Sequence, residues 1–168
     1  MGGYGSGRRG YRPLVEDALK LDAYRLQRDG TLSSRGTGMR FGSLIWTNTI
    51  TGKRHASISY TVNYGEGSIK LHYTNTVCGE EHSVNDLIWL RLQRTNFEGL
   101  RFLFQCPRCF RRVAKLYLPS GGVYFRCRRC YNLTYRSSNE SRKFDILYGA
   151  IARKLHVTIP EVRKAMRW

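Results

Sequence analysis

Carboxylates are scarce in this chain of 168 residues: twelve Asp and Glu stand against 29 Lys and Arg, giving a formal net charge of +17 and a pI near 10.2. A surplus that large exceeds what solubility needs and points to a polyanion or an acidic protein face as partner. The carboxylates are also scattered, from Glu16 and Asp17 to Asp145 and Glu161, and no pair has the spacing of a metal-dependent nuclease. "GGYGSGRRG" is rich in glycine but lacks the lysine and the following helix of a phosphate loop. The chain therefore reads as a binding protein and not an enzyme. Long apolar runs are missing too. No stretch approaches the roughly 20 residues that span a bilayer, and the opening "MGGYGSGRRGYRP" lacks the apolar core of a secretory signal, so a cytoplasmic protein with no membrane partner is expected. No repeat of solenoid period occurs. Cysteine is sparse and odd in number, five in all, which argues against a disulfide framework.

What is present is enough apolar surface for a core: 41% hydrophobic residues and eleven tyrosines. Residues 1–13 hold five glycines and three arginines and read as a mobile tail that could order against phosphates. Asp22 can cap a short helix over "AYRLQRD", with Gly30 just past its end. In "ASISYTV", Ala56, Ile58, Tyr60 and Val62 alternate with small polar residues, and Ile69, Leu71 and Tyr73 alternate with Lys70 and His72. Period two of this kind predicts half-buried antiparallel strands, turned by the glycines of "ITGKR" and "YGEGS". A further hairpin is expected between "DLIWLRLQ" and "RFLFQ", the latter running straight into Cys106. Beyond Tyr135 the period becomes helical, with Phe144, Leu147, Tyr148, Ile151 and Leu155 on one face, and Thr158 caps a last short helix.

Four of the five cysteines, Cys106, Cys109, Cys127 and Cys130, form a C-x2-C-x17-C-x2-C pattern. Two Cys-x-x-Cys knuckles at that interval suit a closed tetrahedral thiolate site, and four soft ligands select one structural zinc ion and leave no place for an activated water. The rival is an iron centre of rubredoxin type, which would colour the protein red. Between the knuckles, "RVAKLYL" and "GVYFRC" flank "PSGG" and read as a ribbon hairpin. Cys78 stands apart; with His82 and His72 it supplies only three ligands, and a free loop thiol is expected.

"GGYGSGRR", "LQRDGTL", "FLFQCPRCFRRVAKLYL" and "YFRCRRCYNLTY" together resemble a family of small, uncharacterised zinc-ribbon proteins of bacteria, phages and mobile elements. The resemblance covers residue 1 to about 136. It implies the same four cysteines as ligands and a mobile-element setting. Where the family pattern has glycine after the second cysteine, this chain has Phe110.

Between Arg101 and Lys143, eleven Lys and Arg face a single acid, Glu140, so this segment carries +10 of the +17. A tetrathiolate zinc site has a formal charge of −2, and two positive charges balance it. The remainder needs another partner. Guanidinium forks match phosphate oxygens, and aromatic faces stack on bases. Arg108, Arg111, Arg112, Lys115, Arg126, Arg128, Arg129 and Tyr131 on the ribbon, with Arg8, Arg9 and Arg12 in the tail, are thus expected to contact nucleic acid, DNA or RNA. Tyr117, Tyr124, Phe125 and Tyr135 are shared between packing and stacking, with Tyr124 and Tyr131 the pair expected to be exposed. Ala152, the turn at His156 and Val162 also have the spacing of a helix-turn-helix, whose second helix would present Arg163, Lys164 and Arg167. The alternative is an inhibitor or adaptor, for example an anti-defence protein such as an anti-CRISPR, docking on an acidic face of a host complex.

The predicted fold is α+β: a small antiparallel β-sheet continuous with a four-cysteine zinc ribbon and followed by C-terminal helices. Its organisation is a tail over 1–13, a short helix plus sheet over 14–100, the ribbon over 101–136 and a helical segment over 137–168.

Overall fold

A computed structural model of the chain describes residues 12–47, 54–140 and 145–165. They divide into two compact units, separated between Leu133 and Thr134. The architecture is mixed α/β, with an antiparallel sheet and short C-terminal helices, as the alternating and helical periods predict.

The first unit opens with strand β1 (Leu19–Asp22) and helix α1 (Ala23–Arg28). Asp22 accepts a hydrogen bond from the Tyr24 backbone N–H at 3.1 Å, and Gly30 follows the helix at φ 73°, so both expected ends are present. A six-stranded meander then runs through β2 (Met39–Thr47), β3 (Arg54–Asn63), β4 (Ser68–Val77), β5 (Glu80–Arg94), β6 (Leu100–Gln105) and β7 (Arg112–Val113), each antiparallel to the next. The period-two pattern sets its register. Ile69 faces Ile88 and Tyr73 faces Val84, all buried, while Leu87, Trp89 and Arg91 turn to the opposite side. The β4–β5 turn is the two residues Cys78 and Gly79, both at positive φ, a geometry that matches the twist of the strands it joins.

The inner face closes on α1 and on a second, two-stranded sheet made by β1 and β8 (Lys115–Leu118). Gln27 holds the helix to β6: its Nε2 donates to the Leu100 carbonyl at 2.8 Å, and its Oε1 accepts from the Phe102 N–H at 3.1 Å. The expected hairpin between "RVAKLYL" and "GVYFRC" is reduced to one bridge, Tyr117 with Arg126, closed by reciprocal bonds of 2.7 and 3.0 Å. On its other edge β8 pairs with β1 over four residues, Leu19 opposite Leu118 and Leu21 opposite Leu116. Leucines at matching parity let β1 cover an edge that a short turn alone leaves open.

The second unit contains α2 (Arg136–Glu140), α3 (Asp145–Leu155) and α4 (Ile159–Ala165). Helices α3 and α4 meet at buried Ala152 and Val162. Leu147 and Leu155, expected on the apolar face of the helix, are exposed. Phe144 lies outside the described residues. The turn places His156 at φ 56° and closes with the Val157 N–H on the Ala152 carbonyl at 3.1 Å. Thr158 then caps α4, its backbone N–H and hydroxyl both donating to Glu161 Oε2 at 2.7 Å. Among the described residues no helix is long and apolar enough to cross a membrane.

Candidate metal centre

Strand β6 delivers Cys106 directly from the sheet, and β7 leaves it after a tight turn. The Cys106 N–H donates to the Arg111 carbonyl and the Phe110 N–H to the Cys106 carbonyl, each at 2.9 Å. Phe110 has φ 57°, in the left-handed region where glycine is at ease. The Phe110 side chain is 68% exposed, so the knuckle holds its shape at a backbone cost of about 1 kcal/mol without displacing core. The second knuckle closes with Cys130 N–H on the Cys127 carbonyl at 3.0 Å and Leu133 N–H on the Arg128 carbonyl at 3.0 Å, and here Asn132 takes the left-handed turn at φ 52°.

The four sulfurs lie within 4.8 Å of one another. Cys106 and Cys130 are 3.8 Å apart and Cys109 and Cys127 3.6 Å, far beyond the roughly 2.05 Å of a disulfide. A tetrahedron of thiolates about 2.3 Å from a zinc ion has edges of about 3.8 Å, so the spacing suits such an ion. The Cys127 N–H donates to Cys106 Sγ at 3.4 Å. Cys106 and Cys127 are buried and Cys109 and Cys130 half-buried. The Arg111 backbone hydrogen bond lowers Cys109 to about 7, whereas burial raises Cys127 and Cys130, with the neighbouring sulfurs adding to the rise at Cys130. Cys109 thus ionises more readily than Cys127 or Cys130. The four cysteines expected as ligands are brought together as a possible metal site; among the described residues no second cluster forms, and Cys78 sits exposed in its turn.

The segment leading to the second knuckle is docked on the sheet by Phe125 and Tyr73, both expected to have packing roles, and by Trp46, Asn75 and Asp86, for which no role was expected. Phe125 is fully buried, stacked on Trp46 with centroids 6.3 Å apart and edge-on to Tyr73 at 5.7 Å. Tyr73 donates its hydroxyl to the Val123 carbonyl at 2.9 Å, and Asn75 donates to the Gly122 carbonyl. Asp86 is buried on the same face and takes a hydrogen bond from the Phe125 backbone, while its Oδ2 has no hydrogen-bond partner among the described residues. Burial pushes the Asp86 carboxyl up to about 6, against the pull of that hydrogen bond and of Arg126. The signal for Asp86 was present in "SVNDLIWL", where it occupies the inward parity of Val84 and Ile88.

The cations divide by environment. Arg108, Arg111, Arg112, Arg128 and Arg129 are exposed beside the knuckles, and Arg108 also donates to the Cys130 carbonyl at 3.2 Å. Lys115 pairs with Asp22 at 3.5 Å, and Arg12 donates to Asn132 Oδ1. Arg126 lies 5.8 Å from the Tyr124 ring centroid and 5.9 Å from that of Tyr131. Tyr124 is exposed as expected, but Tyr131 is half-buried and donates its hydroxyl to the Tyr124 carbonyl. Tyr117 and Phe125 are core and Tyr135 is exposed. Arg8, Arg9 and Arg167 lie outside the described residues.

Comparison with protein-family models, curated proteins and solved structures finds no match for this chain.

Proposed function

We propose that this is a zinc-ribbon nucleic-acid-binding protein, in which one structural zinc ion held by Cys106, Cys109, Cys127 and Cys130 displays an arginine surface to phosphates. The observation that carries the reading is the set Arg108, Arg111, Arg112, Arg128 and Arg129, solvent-exposed beside the sulfur cluster in a segment with no carboxylate between Cys106 and Cys130. Two positive charges suffice for a tetrathiolate zinc site, and the surplus of positive charge beyond them suits a polyanion. The zinc is structural: four protein sulfurs fill its coordination shell, which leaves no site for hydrolytic chemistry. A phage or mobile-element setting follows from the resemblance of the knuckle motifs.

The second unit favours DNA in particular. Ala152 and Val162 are the buried pair, and His156 supplies the left-handed turn residue between them, at the spacing of a helix-turn-helix. In this reading α4 enters the major groove.

One titration tests both. Zinc-loaded protein is mixed with labelled single- and double-stranded DNA and RNA over a range of salt, beside Arg128→Ala/Arg129→Ala and Arg163→Ala/Lys164→Ala. Wild type is expected to bind with a steep inverse dependence on salt, because each neutralised phosphate releases counterions. Loss of Arg128 and Arg129 makes the slope shallower for every probe, by up to about 2 units, and loss of Arg163 and Lys164 weakens duplex DNA selectively. Absence of binding to every probe at low salt would sink this reading and direct the search to an acidic protein face, tested by a nuclease-resistant complex recovered from host lysate.

A further inference from the structure

The side of the sheet turned away from the core carries arginines that are held by amides and, among the described residues, make no ion pair. Arg91 on β5 donates from Nε and Nη2 to Gln105 Oε1 at 3.0 and 2.7 Å. Arg101 on β6 does the same to Gln93 Oε1 at 3.3 and 3.0 Å. Gln93 lies opposite Arg101, and Gln105 opposite Arg112, so three guanidinium groups occupy one face of three adjoining strands. A carboxylate in place of either glutamine would hold the fork and cancel its charge. An amide holds it and leaves the charge intact.

The surroundings keep that charge available. The positions sharing this face from Ser83 to Gln93 on β5 and from Arg101 to Gln105 on β6 include no Asp or Glu, and Lys70 lies opposite Leu87 on β4; the nearby acid on the turn before β4, Glu66, accepts from the Ser68 hydroxyl at 3.4 Å and makes no ion pair among the described residues. Trp89 is 41% exposed and Leu87 44%, on the same side of β5 as Arg91. Trp89 and Arg91 stand about 7 Å apart along the strand, a reach over which one ligand unit can meet both. A second copy of this chain fits poorly, since it would set like charges face to face.

We propose that this outer face is a binding platform for unpaired nucleic acid, with Arg91, Arg101 and Arg112 on phosphates and the Trp89 indole stacked on a base. Charge complementarity selects the polyanion. The exposed indole selects the single strand, because bases inside a duplex already stack on each other and offer no face to a broad sheet. This inference rests on the nucleic-acid reading above and adds to it a substrate class and a surface that runs from the first knuckle, through Arg112, onto the sheet.

The deciding variant is Gln93→Glu/Gln105→Glu. It preserves shape and hydrogen bonding and adds two charges that pair with Arg91 and Arg101. Zinc-loaded full-length protein is titrated over salt with a 20-nucleotide single-stranded DNA, the RNA of the same sequence and the matching DNA duplex, with thermal melting and zinc content as controls. The double variant is expected to fold at least as well as wild type, to lose about tenfold or more in affinity for the single strands, and to show a shallower salt slope. Trp89→Leu, which keeps apolar bulk, is expected to lose about tenfold for the single strands with its salt slope and duplex binding unchanged. If both variants bind single strands as wild type does while Arg128→Ala/Arg129→Ala binds weakly, the platform is wrong and the knuckles alone hold nucleic acid. If poly-glutamate competes as well as the oligonucleotide and Trp89→Leu has no effect, the face is a site for acidic protein and this proposal also fails. If wild type binds none of the three probes at low salt, the broader reading falls and this inference with it.

Discussion

Strands β3 to β5 and the segment from Cys106 to Leu133 share a core but are held together in opposite ways. The strands run in long ladders, and their alternation turns Ile58, Val62, Ile69, Leu71, Val84 and Ile88 to the one face that α1 and the β1–β8 pair cover. The cysteine segment has a two-residue β7 and a single bridge at Tyr117 and Arg126, and it depends on what other parts supply. Those supports are β1 along one edge of β8, the side chains of Tyr73, Asn75 and Asp86 on its backbone, the aromatic seat of Phe125, and the sulfur cluster. A pattern that buries every second residue is sufficient for a sheet. A basic, turn-rich segment with few apolar residues needs cross-linking.

Removing the cross-link gives the largest effect. Structural zinc of the kind proposed for the four sulfurs is worth an apparent ~10 to 16 kcal/mol in small modules, so on that proposal chelation, or Cys127→Ser, is expected to strip amide-exchange protection from residues 106–133 while β3–β5 retain theirs. Hydrogen exchange followed by mass spectrometry on metal-loaded and stripped protein reads the difference. Uniform protection in both states would erase the contrast between the two regions.

Asp86 sits at the junction and gives an intermediate effect with a defined pH window. Its folded carboxyl titrates near 6, above its ordinary value of 3.8, so the native state favours the protonated form. The associated stability is fully present below about 3.8 and is lost as pH rises through about 6. Asp86→Asn, which is neutral throughout, is therefore expected to raise Tm at about pH 7.5, with the gain shrinking as pH falls to about 5. A gain that is independent of pH would mean that the carboxylate is not ionised at the cost of the fold.

The smallest effect is at the first knuckle. Phe110→Gly removes an exposed ring and relieves a left-handed non-glycine residue, so denaturant unfolding is expected to show a stabilisation of about 1 kcal/mol or less, partly offset by the greater freedom of glycine in the unfolded chain. Destabilisation would show that the ring has a packing role.

How legible each region was follows the same division. The strands from "ASISYTV" to "RFLFQ", the α1 cap at Asp22 and the four-cysteine set could be read directly, because alternation, capping chemistry and Cys-x-x-Cys spacing are local properties. The pairing of β1 with β8 was not read. "LKLD" is four residues long, and its partner lies almost 100 positions away, so nothing local marks it as a strand. By composition Asp86 is one of the scattered carboxylates although its parity places it inside, and Arg101 stands only at the edge of the arginine run near the cysteines, with Arg91 outside it.

The sequence by itself determined the charge, the meander and the sulfur ligand set, since composition and short-range period suffice for those. Only the tertiary structure decided which cations are neutralised and which are merely oriented. Lys115 meets Asp22, Arg126 meets two tyrosine rings, and Arg91 and Arg101 meet glutamines. The reason is physical: a guanidinium's effective charge depends on what lies within a few ångströms of it, and strand register and chain crossing set those neighbours over distances that local pattern does not reach.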